Sequence, residues 1–305
     1  MTFFILIYNR NKEDIFMYRV GIDIGGTNLR CAIFDENMKM VKHFKTPNDK
    51  EKNASENLEA MIAFIKDFDG DIQSIGIGCP GPLDAHTGVI LNPPNLVGWD
   101  NFPIVEHFIK ETGIPTKMSN DANVAGLGEA ILGAGKGYES VYYITMSTGF
   151  GGAYVFRNEL INGVSTCAGE IYNMIVNEDP HHHKGTNAGS LNEQCGGYGL
   201  SIIAEEIFGY PMSAEELFGL YHQGDEKAAA LIERTADIAA KGIANVGCVI
   251  DPEIYIVGGS IANYNPDFVE MVFEKAKKYY IKPGYLKYKA AKFSDDAGLI
   301  GAALL

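Results

Sequence analysis

Asp121 is the residue whose type and setting point most directly to chemistry. It follows an apolar, strand-like lead at residues 114–118 and opens an Ala-, Gly- and Leu-rich stretch, residues 122–132, that reads as a helix. A carboxylate placed there has backbone N–H groups and the positive end of a helix dipole beside it, which keep it ionised and fixed in place. Taken alone, such an Asp reads as a helix N-cap. Two glycine-rich turns shift that reading: Asp23-Ile24-Gly25-Gly26-Thr27-Asn28 and Ser147-Thr148-Gly149-Phe150-Gly151-Gly152. Glycine adds no side chain to hold backbone N–H groups away from phosphate oxygens, so each turn can cradle phosphate. With a triphosphate between them, Asp121 becomes a catalytic base for phosphoryl transfer. Asp23, beside the first turn, becomes the carboxylate for the Mg²⁺ that accompanies ATP, held directly or through water. Either turn by itself would read as an ordinary hairpin.

The elements that must position these residues follow from the patterning. Residues 18–24 and 29–34 flank the first turn as strands, and 140–146 and 153–156 flank the second. This repeated strand, glycine turn and strand predicts two similar subdomains whose turns face one nucleotide across a cleft. Residues 40–45 predict a third strand, and Leu58, Met61, Ile62, Ile65 and Phe68 recur at helical spacing. Residues 71–78 predict a strand ending in Cys79-Pro80-Gly81-Pro82, 103–112 a helix, and 114–118 the strand that delivers Asp121. Leu91-Asn92-Pro93-Pro94-Asn95-Leu96 and Gly98-Trp99 are too rich in Pro, Gly and Asn to be regular, and read as a binding loop or a structural one. An irregular middle at 162–199 is followed by helices at 200–208, 214–221 and 225–249, the last with Asp225 as N-cap. Residues 254–257 predict a strand ending in a third glycine turn, Gly258-Gly259-Ser260, which reads as a plain turn or as a close approach to a nucleoside. A helix at 267–280, a strand at 286–290 and a terminal helix at 296–305 complete the chain.

Composition narrows the function classes. The 305 residues suffice for two domains, each with its own core. A formal net charge of −14 argues against nucleic acid and anionic membrane as partners, since both reward clustered Lys and Arg. The five cysteines are widely spaced with no CxxC, so they suggest neither a disulfide framework nor a zinc knuckle and fit a reducing cytoplasm. The apolar run at residues 3–8 falls far short of the roughly 20 residues of a membrane span, and Met17 is the expected natural start with residues 1–16 an extension.

Read in order, the motifs Asp23-Ile24-Gly25-Gly26-Thr27-Asn28, Gly81, Pro93-Pro94-Asn95-Leu96, Asn120-Asp121-Ala122-Asn123, Ser147-Thr148-Gly149-Phe150-Gly151-Gly152, Gly169-Glu170-Ile171 and Asp251-Pro252 with Gly258-Gly259 resemble the ROK family of bacterial sugar kinases and sugar-responsive repressors. The similarity runs from about Tyr18 to the C-terminus. It implies an α/β, actin- and hexokinase-like (ribonuclease H-like) duplicated fold of two domains with a central cleft. The expected division is 17–119 with about 291–305 in a smaller domain and 120–290 in a larger one, the C-terminal helix packing back onto the first. By the same resemblance Asp121 takes the proton of a hexose 6-hydroxyl. Asn120, Glu170, Gly81 and Asn95 lie at the sugar, and Gly25, Gly26, Thr27, Asn28, Thr148, Gly149, Gly151, Gly258 and Gly259 line the ATP site. A homodimer is the expected assembly.

Two departures bear on the substrate. The family's usual Glu-x-Gly-His reads Glu170-Ile171-Tyr172-Asn173 here, so Asn173 stands in for a histidine that binds both sugar and zinc. The family's cysteine-rich zinc loop aligns with residues 183–192, where its cysteines become His183, Gly185 and Ser190, and a sugar-binding glutamate becomes Asn192. Too few soft ligands remain for a closed tetrahedral zinc site. His181, His182 and His183 with Cys195 are the remaining metal-ligand candidates, against a solvated polar loop as the simpler reading. Asn173 and Asn192 can each donate and accept, so both are candidates for binding sugar hydroxyls with a changed selectivity. The expected activity is an ATP-dependent hexose 6-kinase, glucose first and N-acetylmannosamine second. The alternatives are a sugar-sensing repressor, for which only about two dozen residues precede the first turn, and a non-catalytic sugar-binding protein.

Overall fold

A computed structural model describes residues 17–180, 182 and 185–305; the expected N-terminal extension, His181 and His183 lie outside the described residues. The chain begins with β1 (Met17–Ile24), β2 (Asn28–Phe34) and β3 (Met40–Pro47), then α1 (Ala54–Lys66), β4 (Asp71–Cys79), the short pair β5 (Leu83–Asp84) and β6 (Val89–Ile90), α2 (Ile104–Thr112), β7 (Thr116–Asn120) and α3 (Asp121–Ile131). It continues through β8 (Ser140–Met146), β9 (Phe150–Phe156), β10 (Glu159–Leu160), α4 (Leu191–Cys195), α5 (Gly197–Phe208), α6 (Ala214–His222) and α7 (Glu226–Val249). β11 (Ile254–Gly258), α8 (Ser260–Tyr264), α9 (Pro266–Ala276), β12 (Tyr288–Ala290) and α10 (Ala297–Ala302) end it.

The two halves repeat one topology. Strand order is β3-β2-β1-β4-β7 in the first sheet and β10-β9-β8-β11-β12 in the second. In each, an antiparallel hairpin (β1/β2, β8/β9) leads the sheet and two further strands add in parallel to its first strand. The paired glycine turns are the tips of these equivalent hairpins, as the repeat in the sequence predicts.

Alternation along the strands assigns the faces. Val20, Ile22 and Ile24 pack with Leu58, Met61, Ile65 and Phe108 from α1 and α2 in one core. The opposite face of the first sheet takes α10, with Leu299 and Ala303 against Ala32 and Phe34. Gly21 and Gly76 are cross-strand partners there. A Cβ on Gly21 would lie 2.0 Å from Leu299 O and one on Gly76 1.7 Å from Ala302 O, so the α10 backbone rests directly on the sheet. The second sheet is covered on one face by the large core of α5, α6, α7 and α9, and on the other by Leu127 and Ala130 of α3 packed on Val141, Tyr143, Ala153 and Val155. α3 and α10 cross backbone to backbone: a Cβ on Gly301 would fall 1.6 Å from Val124 O. Beside that crossing, the Glu129 carboxylate, with no solvent exposure, accepts Lys292 N and Phe293 N (2.8 and 2.7 Å) on Oε1 and Ala134 N (2.9 Å) on Oε2.

The structure shifts several expected elements. β7 covers Thr116–Asn120 rather than 114–118, because pairing with β4 continues to Cys79↔Asn120. β9 begins at Phe150, so Gly151 and Gly152 lie in the strand opposite Thr145 and Ile144 and the turn is confined to 147–149. The expected helix at 267–280 runs Pro266–Ala276, and α4 lies within the stretch expected to be irregular. Asp225 caps α7 as expected, accepting Ala228 N at 2.9 Å.

The crossing generates a stability prediction. Gly301→Ala must push α3 and α10 apart and should lower stability by roughly 2–3 kcal/mol. Gly219→Ala in α6, where an added Cβ meets nothing within 4 Å, should raise it by about 0.5–1 kcal/mol. Urea unfolding midpoints compare the two.

Candidate active site

The parallel strands β4 and β7 end side by side, and their last residues carry the chain into the site. Asn120 closes β7 and caps α3, its Oδ1 accepting Ala122 N at 2.8 Å. The N-cap is therefore Asn120 and not Asp121. Asp121 is the first residue of the helix, and its Oδ1 accepts the same Ala122 N–H at 2.8 Å. Gly81, after β4, brings its backbone against the other end of the Asn120 amide: a Cβ there would sit 3.7 Å from Nδ2. Asp121 is accessible from the cleft but enclosed by protein. That loss of water lifts its carboxyl above the usual carboxylate range; the Ala122 N–H opposes the rise and the Asp23 charge adds to it.

Asp23 reaches Asp121 electrostatically because β1 and β4 are neighbours and the first turn lies at their shared end. Its Oδ2 accepts two bonds from Arg30, from Nε at 2.9 Å and from one terminal guanidinium nitrogen at 2.7 Å. That same nitrogen also donates to Asp295 O at 2.7 Å, just before α10. Sequence reasoning missed Arg30, although the signal was available: Asp23 and Arg30 are equidistant from the Gly26-Thr27 centre, so hairpin register makes them partners. The turn itself is held by Gly25 N donating to Asn28 O (3.0 Å) and by the Asn48 amide donating to Gly25 O (2.9 Å), leaving Thr27 exposed at the tip. The Pro93–Leu96 loop rests on it, with Asn95 O only 2.8 Å from where a Gly26 Cβ would be. Asn95 thus meets the first turn through its backbone while its side chain is exposed.

Just past the second turn, the start of β9 lies against α3: a Cβ on Gly151 would sit 3.5 Å from the Ala122 Cβ. Ser147 N donates to Gly149 O at 2.9 Å, and α5 begins on this turn, with Gly197 N and Tyr198 N donating to Ser147 O and Thr148 O at 2.9 and 3.0 Å. Gly259 carries the third turn in a left-handed conformation (φ 93°) against Met146 O, and Ser260 Oγ meets Ser147 Oγ at 3.2 Å. Gly258, by contrast, is buried in β11 against Tyr143 and Ala291. Glu170 is placed by Gly169, whose positive φ (83°) and close approach to Tyr154 N exclude any side chain, and whose carbonyl accepts the Tyr142 hydroxyl. Burial, with the Asp121 charge adding, lifts the Glu170 carboxyl to about 7.

The two departures from the family pattern have other partners in place. The Asn173 Oδ1 accepts Asn187 N, and its carbonyl accepts the Asn187 amide at 3.4 Å, so it staples the following loop. The Asn192 Oδ1 accepts Phe150 N at 3.0 Å, on the second turn. Cys195 is buried in the core, its thiol on Thr235 O, and His182 is exposed with Nδ1 at 3.1 Å from Pro180 O. Among the described residues no group of three His, Cys, Asp or Glu side chains is arranged to hold a metal.

Tests of a nucleotide in this cleft rest on what the turns expose. Both tips present backbone rather than bulky side chains, and the Asp23 Oδ1 takes no hydrogen bond among the described residues, leaving one hard oxygen of the kind Mg²⁺ or its water shell accepts. The Asp23 charge acts on Asp121 here, and the Asp121 charge acts on Glu170. Because the folded protein holds the Glu170 proton from its ordinary 4.5 up to about 7, it binds more protons than the unfolded chain in that window, and stability falls as pH rises through it. Glu170→Gln should flatten that fall; ligand-free unfolding midpoints between about pH 5 and pH 8 measure it.

Residues 19–305 match the ROK family. An N-acetyl-D-glucosamine kinase of Vibrio atlanticus (strain LGP32) is 31% identical over 301 residues, covering 93% of this chain and 98% of its own. The crystal structure of a ROK hexokinase from Thermus thermophilus matches with a TM-score of 0.88 at 31% identity, over 94% of this chain and 97% of that one. A ROK family glucokinase from Streptomyces griseus, solved in complex with glucose and AMPPNP, matches with a TM-score of 0.75 at 26% identity, over 94% and 98% of the two chains. The repeated topology is therefore the actin- and hexokinase-like fold, and with the family match spanning both glycine turns, Asp121 and the closing helix, the chain belongs to the ROK family.

Proposed function

We propose that the chain is an ATP-dependent hexose kinase that phosphorylates the 6-hydroxyl. The observation that supports the reading is the packing of Gly151, two residues past the second glycine turn, on Ala122, the neighbour of Asp121. Phosphoryl transfer asks mostly for positioning and charge stabilisation, with one carboxylate to orient the nucleophile. In this reading the hexose lies over Gly81, with Asn120 and Glu170 bonding its other hydroxyls and Asn95 and Asn173 at its margin. Asp121, its proton affinity raised by enclosure, takes the proton of the 6-hydroxyl as that oxygen bonds to the γ-phosphorus. The bond from the γ-phosphorus to the bridging oxygen breaks and ADP leaves. The turns at 25–27, 147–149 and 259 hold the nucleotide. Asp23, oriented by Arg30, would hold Mg²⁺ directly or through water, and the ion when bound would neutralise phosphate charge.

Domains at 17–119 with about 291–305 and at 120–290 close on the cleft, and a cytoplasmic homodimer belongs to the same proposal; light scattering tests the assembly. Glucose leads the substrate expectation, supported by the glucose-bound relative, with N-acetylmannosamine next; N-acetylglucosamine joins them because of the Vibrio kinase. A coupled assay over these hexoses with ATP should show turnover with at least one, and none with any would overturn the proposal. Asp121→Asn should cut turnover about 10²–10⁴-fold while hexose affinity persists. Unchanged turnover in that variant removes Asp121 as the base.

A further inference from the structure

Asn192 lies beside the second glycine turn, and its side-chain oxygen is committed there. Its Oδ1 accepts Phe150 N at 3.0 Å, and a Cβ on Gly149 would lie only 2.8 Å from that same oxygen. The Asn192 backbone is fixed independently: its N–H donates to Tyr172 O at 2.8 Å, two residues beyond Glu170, and its carbonyl accepts Gly196 N at 3.0 Å where α4 meets α5. The turn at 147–149 is therefore held from one side by the start of α5, through Gly197 N and Tyr198 N, and from the other by a side chain whose own position is set by the Glu170 loop. Phe150 itself is buried and opens β9, so its N–H is the first donor past the turn. Occupying that donor fixes which way the neighbouring Thr148 and Gly149 peptide groups point.

We propose that Asn192 is a positioning residue for the nucleotide: by capping Phe150 N it holds the second glycine turn in its phosphate-binding shape, and it contributes to triphosphate affinity without bonding the sugar. This rests on the kinase reading above. An amide is suited to the task because it supplies an acceptor without adding a fourth negative charge beside Asp23, Asp121 and Glu170 in a site for an anionic ligand.

The test is calorimetric titration of the protein with AMPPNP and Mg²⁺ in the absence of sugar, with hexose affinity measured separately. Asn192→Ala should weaken AMPPNP binding by about three- to tenfold, the range of one net hydrogen bond, with hexose affinity changed by less than about twofold. Asn192→Asp keeps an acceptor on Phe150 N but places a charge at the phosphates, so it should weaken AMPPNP by a larger factor than adenosine. Unchanged AMPPNP affinity in Asn192→Ala, loss of hexose affinity with nucleotide affinity kept, or equal weakening of AMPPNP and adenosine in Asn192→Asp would each overturn the inference. If Asn192→Ala fails to fold, the Asn192→Asp comparison decides alone. Wild-type protein that binds no AMPPNP overturns the kinase reading itself, whereas normal wild-type binding with indifferent variants removes only the role of Asn192.

Discussion

The buried Glu129 carboxylate is the joint on which the site geometry depends. Taking an ionised carboxylate fully out of water costs several kcal/mol unless its lone pairs are met, and here three backbone N–H groups meet them. Two of those donors belong to residues 292–293, the link from the second sheet to α10, while the carboxylate rides on the helix that begins with Asp121. One side chain therefore sets where the last helix departs relative to the Asp121 end of α3. From there α10 lies on β1 and β4 through the Gly21–Gly76 pair, and Asp295 returns a carbonyl to Arg30, which orients Asp23. The two carboxylates nearest the proposed phosphoryl transfer are thus tied to each other through the protein from behind, by contacts that run through Glu129, residues 292–295 and Arg30.

The charge distribution bears on how the proposed site would meet phosphate, with backbone rather than side chains. In a chain of net charge −14 the site itself gathers three acids, and Arg30 is committed to Asp23 and to Asp295 O. A triphosphate placed there has to be met by N–H groups of the turns and by a cation that travels with it. Such donors are already oriented, so binding requires little rearrangement of long side chains. Burial, with the neighbouring acid charge adding, lifts Glu170 toward neutrality and raises Asp121, which as a proposed base then accepts a proton more readily.

Much of this was legible in the sequence, for a physical reason. The glycine turns, their flanking apolar strands and the Asp at a strand-to-helix junction are local signals, and the matching strand orders of the two sheets bear out the repeat they suggest. Where the reading slipped, a tertiary contact overruled local preference. Residues 114–115 look more strand-like than Ser119-Asn120, yet β4 continues to Cys79 and carries β7 with it to Asn120. Gly151 and Gly152 read as turn, yet pairing with Thr145 and Ile144 makes them strand, and small residues are what the approach of Ala122 on one side and Gly169 on the other allows. Glu129 left no pattern to read, since two of its bonds reach backbone far away in the chain; Asn192 reads as a sugar-hydroxyl candidate by resemblance, but its bond to Phe150 N left no local signal, whereas Arg30 did, through hairpin register.

The placement of α10 also governs how the protein comes into being. Residues 297–302 supply the cover for one face of a sheet whose central strand, β1, is translated well before them. During synthesis that face, with Phe34 and the flat Gly21–Gly76 patch, has no native partner, and the carbonyl of Asp295 that steadies Arg30 does not yet exist. Contacts this distant in sequence are slow to form and leave apolar surface open to chaperones or to aggregation until they do. The earlier-made half is thus finished only once the later-made helix has docked on it.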